Sequence, residues 1–340
     1  MMIDTVDFSK TVVFTDLHLG MKHNSREHNT LCENFIKWFI EEAKAWGSKT
    51  CIFAGDYHHI RSSINVSTLN YSVNGLKLLS EYFDHTFFIL GNHDLYFRDR
   101  RDVHSMPYIG QFDNIHMIES MTTVGDVTFV PWLVGDDWKK IQTITSPYMF
   151  GHFEIPNFKM NAMVSMPDHG TLNKAHFNHQ KQVFTGHFHK RQHADNIWYI
   201  GNAFPHDYAD AWDDDRGMMF WTPGEEPRFK QFPEAPKYRT LTLSQVMADP
   251  YAHIDERTYA RITMDVDISH EEMSFIKDLF ENELKAKDVS IIAKRDTSVD
   301  INQSAEISFE SLDSIVIGHL NSIESNSLDP KELVAIYQSI

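Results

Sequence analysis

The sequence predicts an α/β (α+β) fold in which two packed sheets are flanked by helices. In the first third, short apolar strands alternate with helical segments, which is typical of a largely parallel sheet covered on both faces. The strands are predicted at residues 11–15, 50–54 and 86–90, and the helices at 29–46 and 67–83. After about residue 110 short strands follow one another closely, which indicates a second, more antiparallel sheet.

The later part of the chain divides into smaller units. The second sheet is assigned strands at 115–118, 127–130, 148–150, 182–185, 197–200 and 218–221. Four prolines between residues 223 and 236 indicate a domain boundary. We therefore predict a first domain at 1–235, a small α/β domain at 236–295, and a linker with C-terminal helices at 296–340.

Composition limits the classes of function. The formal net charge is −17, which at first argues against a nucleic-acid partner. From residue 241 onward, however, 19 acidic residues stand against 8 basic ones, so the acidity lies mostly in the last third. No apolar run is long enough to cross a membrane. Cys32 and Cys51 lie in apolar segments, which predicts buried free thiols and a reducing cytoplasm.

Polar side chains follow the predicted strands where ligands of α/β sheets bind. Alone, each such pattern is more typical of a turn or a surface histidine, but the set predicts two ions about 3.5–4 Å apart. Oxygen and nitrogen ligands without sulfur favour Mn²⁺, with Mg²⁺ or Fe²⁺ as alternatives, over a structural zinc. The candidate ligands are Asp16, His18, Asp56, Asn92, His152, His187 and His189.

These motifs resemble, in order, the five motifs of calcineurin-like metallophosphoesterases over about residues 11–190. Protein phosphatases of that superfamily have an Asp-Arg pair after the second motif, whereas this chain has Tyr57-His58-His59. That sequence is similar to the SbcD-type nuclease subunits of double-strand-break processing complexes. Length, the turn YIGNAF, the small domain and the tail look closest to phage members. Asn202 stands where SbcD-type chains often have serine, and its role stays open.

The resemblance implies a Mn²⁺-dependent DNA exonuclease or endonuclease with a metallophosphoesterase sandwich and a capping domain. One ion would be held by Asp16, His18, Asp56 and His189, and the other by Asp56, Asn92, His152 and His187. His93 would face the substrate. Asp94 would orient His93, or alternatively cap a helix. His59 would help to position DNA, or alternatively lie in solvent.

Several surface features predict partners. Basic residues in the motif loops are candidate contacts to DNA phosphates, or alternatively a solvated loop face: Arg61, Arg98, Arg100, Arg101, Lys190 and Arg191. Apolar stripes at 309–323 and 330–340 favour docking on another chain over docking on the body. By resemblance that chain is an SbcC-type coiled-coil ATPase, and the nuclease is a homodimer. The expected location is the cytoplasm, or the host cytoplasm for a viral protein, with no membrane contact.

Two other functions compete with this hypothesis. A metallophosphatase acting on phosphomonoesters or phosphoproteins could use the same motifs. A binding subunit with a decayed site would be non-enzymatic, but the complete set of candidate ligands argues against it.

Overall fold

The computed structural model describes residues 6–160 and 164–292. Six strands, numbered in chain order, form the first sheet: β1 (Thr11–Phe14), β2 (Thr50–Phe53), β3 (His85–Ile89), β4 (Ile115–Ile118), β11 (Gly217–Trp221) and β12 (Arg228–Gln231). Their order across the sheet is β12-β11-β1-β2-β3-β4. β1 to β4 are parallel, and β11 and β12 add an antiparallel edge.

Two strands lie in a different sheet from the predicted one. The sequence places residues 115–118 and 218–221 in the second sheet, but β4 and β11 belong to the first. Their apolar side chains suit a buried strand in either sheet, and long-range pairing decides between them. β4 pairs with β3, where His116 lies opposite Phe87, and β11 pairs with β1.

The second sheet also has six strands: β5 (Thr122–Val124), β6 (Val127–Val130), β7 (Tyr148–His152), β8 (Gln182–Gly186), β9 (Gln192–Ala194) and β10 (Ile197–Tyr199). Its order is β5-β6-β7-β8-β10-β9. β6, β7, β8 and β10 are parallel, so the prediction of a more antiparallel sheet is wrong. The reason is that the connections at 131–147 and 153–181 are long enough for parallel crossovers.

The two sheets pack face to face through an aromatic core. The rings of Phe87 and Phe129 stack with centroids 4.2 Å apart, and Trp221 lies 4.9 Å from Phe150. These residues come from both sheets and are fully buried. Burial of this apolar layer fixes the position of one sheet against the other, and with it the carboxyl ends of their strands.

Two long helices cover the other face of the first sheet, α1 (Arg26–Trp46) and α2 (Val66–Tyr82). α1 begins earlier than predicted because Ser25 Oγ accepts a hydrogen bond from the His28 N–H, at 3.4 Å. It ends at Gly47, whose φ of 78° is left-handed. Phe39 of α1 packs on Phe14 of β1, with ring centroids 4.7 Å apart.

Shorter elements complete the first domain. A short helix, α3 (Trp138–Ile141), lies between β6 and β7. Single helical turns occur at Met21–Asn24, Pro107–Gln111, Lys174–Phe177 and Tyr208–Asp210.

The small domain is built on three parallel strands with β14 in the centre. Its elements are β13 (Lys237–Thr242), α4 (Leu243–Ala248), a turn at Pro250–Ala252, β14 (Thr258–Thr263), α5 (His270–Asp278) with a π-helical turn at Leu279–Glu283, and β15 (Asp288–Ile292). The sequence does not predict β13, because this strand begins directly after the proline-rich segment. Leu241, Ile262 and Phe280 form part of this domain's core.

These sheets and helices confirm the predicted α/β class. Cys32 and Cys51 are buried free thiols, as predicted. Within residues 6–160 and 164–292, no helix has the length and apolar character needed to cross a bilayer. The linker and helices predicted at 296–340 lie outside the described residues, and the domain boundaries stay predictions.

Candidate metal centre

Two neighbouring side-chain clusters could each hold an ion, and a third group, His18, His59 and His93, shares His18 with the first. The first cluster lies where β1 and β8 end. It consists of Asp16, His18 and His189, each of which offers a ligand atom within 4.8 Å of the others. Nε2 of His18 lies 3.2 Å from Nε2 of His189 and 3.8 Å from Oδ1 of Asp16. Nε2 of His189 lies 3.9 Å from the same oxygen. Three atoms that carry lone pairs therefore face one point.

The second cluster lies beside it, where β2, β3, β7 and β8 end. It contains Asp56, His152 and His187. The amide oxygen of Asn92 joins them, 3.0 Å from Nε2 of His152 and 2.9 Å from Nδ1 of His187. Nδ1 of His152 lies 2.8 Å from the Ala54 carbonyl oxygen. Because a carbonyl only accepts, Nδ1 carries the proton, and Nε2 presents its lone pair to the cluster in the neutral ring.

Asp56, a member of the second cluster, also faces the first. Its Oδ2 lies 3.8 Å from Nε2 of His18 and 3.3 Å from Nε2 of His152. Its Oδ1 accepts a hydrogen bond of 2.7 Å from the His93 backbone N–H. That bond turns Oδ2 toward both clusters, which is the position a bridging carboxylate requires.

Four of the seven candidate ligands have a strained, left-handed backbone. Asp16, His18, Asp56 and His187 have φ values of 51°, 52°, 61° and 87°. Non-glycine residues held in this region cost about 1–3 kcal/mol each. The Asp56 carbonyl oxygen accepts from the Leu17 and His18 N–H groups at 3.0 and 3.1 Å, which ties the first two motifs together. Strained residues of this kind cluster at functional sites.

Two glycines allow the motifs to approach this closely. A Cβ added at Gly91 would lie 2.2 Å from Oδ1 of Asp56. One added at Gly186 would lie 2.2 Å from Thr15 Oγ1 and 2.8 Å from Asp16 Oδ2. Any side chain at either position would displace a carboxylate, which explains why glycine precedes the polar residues in these turns.

The electrostatics of the clusters suit a cation. Burial lowers the pKa of His18 well below its ordinary value and that of His187 to about 3, so both rings are neutral. Burial alone would raise the pKa of Asp56 and lower that of His152, but their mutual attraction outweighs burial. The Asp56 pKa is therefore well below its ordinary value, and the His152 pKa rises to about 9. Asp56 is thus a buried carboxylate that needs a positive partner. A divalent ion held by these oxygen and nitrogen donors would supply that charge in place of the His152 proton.

His93 and His59 lie next to the first cluster. Nδ1 of His93 lies 2.7 Å from the His59 carbonyl oxygen, and the two rings stack with centroids 5.3 Å apart. Nδ1 of His59 lies 3.3 Å from Nδ1 of His18. His59 is partly buried, so the alternative of a loop histidine in solvent does not describe it.

Asp94 contacts backbone groups rather than the His93 ring. Its carboxylate accepts hydrogen bonds from four backbone N–H groups, those of Gly91 and Asp56 at 2.9 Å, Tyr57 at 3.0 Å and His58 at 3.2 Å. Neither expected role matches these contacts, because a backbone carbonyl orients the His93 ring and no helix begins at Asp94. The carboxylate instead joins the loops after β2 and β3. Burial raises its pKa to about 7.

Four of the six predicted DNA contacts bind residues outside their own loop. Arg61 donates through Nε to the Asn92 carbonyl oxygen at 2.7 Å, and Arg101 pairs with Asp137 at 2.7 Å. Lys190 and Arg191 pair with Asp213 and Asp215 at 2.8 and 2.5 Å. The side chain of Arg191 is only 11% exposed, so it supports the scaffold. Arg98 and Arg100 are exposed, and Arg100 lies 3.2 Å from Asp102.

Two buried histidines that the sequence does not predict as site residues support the first cluster. Nε2 of His28 lies 3.0 Å from the His18 carbonyl oxygen, and Nε2 of His206 lies 3.0 Å from that of Asp16. His28 sits inside a helix and gives no motif signal, whereas His206 follows the YIGNAF turn. Asn202 is buried and donates to Asp210 at 3.2 Å, which indicates a scaffold role.

Comparison with known proteins supports the resemblance inferred from the motifs. The chain is 25% identical over 335 residues to Exonuclease subunit 1 of Enterobacteria phage T4, and the match covers 95% of each chain. The chain is a relative of this phage exonuclease subunit. This similarity confirms the predicted resemblance to a phage nuclease subunit.

Comparisons with family models and with solved structures give weaker matches or none. No family model matches the chain. Among solved structures, the nuclease MPE of Pseudomonas putida matches with 14% identity and a TM-score of 0.33, over 63% of this chain and 84% of that one. A dimetal phosphatase from Danio rerio matches with 10% identity and a TM-score of 0.38, over 65% of this chain and 96% of that one.

Proposed function

We propose that this chain is a DNA nuclease that hydrolyses phosphodiester bonds with two divalent metal ions. Mn²⁺ is the favoured ion, with Mg²⁺ and Fe²⁺ as alternatives. The observation that carries the proposal is the position of Asp56 Oδ2 between two clusters of nitrogen and oxygen donors. The similarity to a phage exonuclease subunit supports the choice of DNA as substrate.

The clusters define which residues would hold each ion. Asp16, His18 and His189 would hold the first, Asn92, His152 and His187 the second, and Asp56 both. Bound ions of this kind activate water and neutralise charge on the phosphate in the transition state. The protein contributes the fixed geometry, which includes the Arg61 contact that holds the backbone at Asn92.

His93 is the proposed catalytic residue beside the ions. Its Nδ1–H donates to the His59 carbonyl oxygen, which leaves Nε2 as the nitrogen available to the substrate. In the protonated ring, Nε2–H stabilises the phosphate in the transition state or gives its proton to the leaving oxygen. His59 stacks on His93 and would help to position DNA.

The relative's description as a subunit supports a biological setting in a larger complex. We place the chain in an ATPase–nuclease complex that processes double-strand breaks for DNA repair, recombination and recombination-dependent replication. Its partner would be an SbcC-type coiled-coil ATPase bound through residues 296–340, and the nuclease would form a homodimer. Endonuclease and exonuclease action are both consistent with the site.

A metallophosphatase is the second candidate. One observation favours it, a cleft beside His152 lined by Trp132 and Glu154 that would suit a small phosphomonoester. Under the same conditions a nuclease should cleave DNA faster than a phosphomonoester, and a phosphatase should cleave the phosphomonoester faster.

The test compares the wild-type chain with His93→Asn and with His193→Asn, a control on the exposed edge strand β9. With Mn²⁺, the wild type and the control should cleave DNA faster than p-nitrophenyl phosphate. His93→Asn should lose about 10²–10⁴-fold in cleavage rate, while Mn²⁺ binding and melting temperature stay unchanged. Faster hydrolysis of the monoester would favour the phosphatase, and an active His93→Asn would refute the role of His93.

A further inference from the structure

His206 contacts every member of the first cluster. It lies in the segment between β10 and β11 and is 1% exposed. Its Nε2–H donates to the Asp16 carbonyl oxygen at 3.0 Å. Its ring meets the rings of His18 and His189 edge-on, with centroids 5.3 and 5.2 Å away. Within the described residues, none of its hydrogen bonds or ring contacts reaches Asn92, His152 or His187.

His206 is itself held on both sides. Its backbone N–H donates to Oδ2 of Asp210 at 2.9 Å, and Oδ1 of Asp210 accepts from the buried Arg216 at 3.1 Å. Its carbonyl oxygen accepts from the Tyr238 hydroxyl at 2.7 Å. Tyr238 belongs to β13 and stacks on Tyr259 of β14, with centroids 5.0 Å apart. The sheet of the small domain therefore contacts the metal centre through this histidine.

We infer that His206 is a positioning residue for the first ion only, and that Tyr238 couples this position to the small domain. The inference rests on the proposed function. Asp16 has a left-handed φ of 51°, so its peptide group needs an external partner to keep its orientation. The Nε2–H of His206 supplies that partner, and its ring packs against the other two ligands. Partners of this kind typically change metal affinity about 10–100-fold.

The test measures Mn²⁺ binding to the full chain without DNA, by calorimetry and by electron paramagnetic resonance. The wild type should bind a pair of ions with a spin-coupled spectrum. His206→Leu should bind one ion about 10–100-fold more weakly and show the spectrum of isolated Mn²⁺, with the other ion unaffected. His206→Gln should restore the pair because its amide nitrogen can reach the position of Nε2.

Tyr238→Phe tests the coupling. It should weaken the binding of the same ion by a smaller factor than His206→Leu does, whereas Tyr82→Phe should leave the affinity unchanged. The control loses a hydrogen bond of the same kind, from a tyrosine hydroxyl to the Ser48 carbonyl oxygen at 2.9 Å, away from the site. The Tyr238 hydroxyl differs in that it also accepts from Lys22.

Three results would overturn the inference. In the first, His206→Leu binds both ions as tightly as the wild type does. In the second, His206→Leu loses affinity for both ions equally and His206→Gln does not restore it, which would indicate a merely structural residue. Tyr238→Phe could match its control, which would remove the coupling. A wild-type chain that takes up no pair of Mn²⁺ ions would instead refute the proposed function, so the two failures give different results.

Discussion

Asp94 acts on the site through the backbone. Its two carboxylate oxygens accept hydrogen bonds from four backbone N–H groups, two of them at 2.9 Å. One of these two belongs to Asp56, so Asp94 fixes the backbone at that residue. The sequence predicts that Asp94 matters, because it belongs to the same motif as Asn92 and His93. It does not predict the partners, since three of the four lie more than 30 residues earlier in the chain and meet Asp94 only after β2 and β3 have paired.

Asp94→Asn should therefore destabilise the whole protein. The amide would place an N–H₂ group against backbone donors, which leaves buried N–H groups without acceptors, and the loss should be on the order of 2–4 kcal/mol. Urea unfolding in metal-free buffer measures it, with Asp99→Asn on the exposed loop as the control. Unchanged stability together with reduced cleavage would instead support the role of orienting His93.

At the scale of elements, the loop after β3 contains arginines of two kinds. Arg98 and Arg100 are exposed, whereas Arg101 donates to the Trp132 carbonyl oxygen at 2.7 Å and pairs with Asp137. The sequence shows the basic cluster but not this division. Asp137 lies 36 residues further along the chain, in the connection between β6 and β7, and its approach depends on how the two sheets pack.

The two kinds should respond differently to substitution. The double variant Arg98→Gln/Arg100→Gln should bind DNA more weakly, and the slope of log affinity against log salt should fall by about 1 for each phosphate that the protein no longer neutralises. Its melting temperature and Mn²⁺ affinity should stay unchanged. Arg101→Gln should instead lose roughly 1–3 kcal/mol of stability, because the buried Asp137 keeps only Lys140 as a partner and the Glu119 and Trp132 carbonyl oxygens lose their donor. Equal effects on DNA binding by all three arginines would contradict this division.

For the whole molecule, the clusters join the two sheets at one edge. Asp16, His18, Asp56 and Asn92 follow strands of the first sheet, whereas His152, His187 and His189 belong to or follow strands of the second. All seven candidates could be predicted because each follows an apolar run in a short motif. The sequence does not predict which strands share a sheet, because strand pairing depends on segments that are distant in the chain. β4 and β11 illustrate this.

This arrangement predicts that Mn²⁺ stabilises the fold by linking the sheets. An ion that binds only the folded state adds about 2.7 kcal/mol per site when its free concentration is 100 times the dissociation constant. Thermal unfolding should shift upward with Mn²⁺ and return with a chelator. His187→Ala removes a side chain of the second cluster only, so it should keep roughly half of the Mn²⁺-dependent gain, while Arg98→Gln should keep all of it. If Mn²⁺ left the unfolding curve of the wild type unchanged, the side chains that meet between the sheets would not form a metal centre, because binding to the folded state alone must raise its stability.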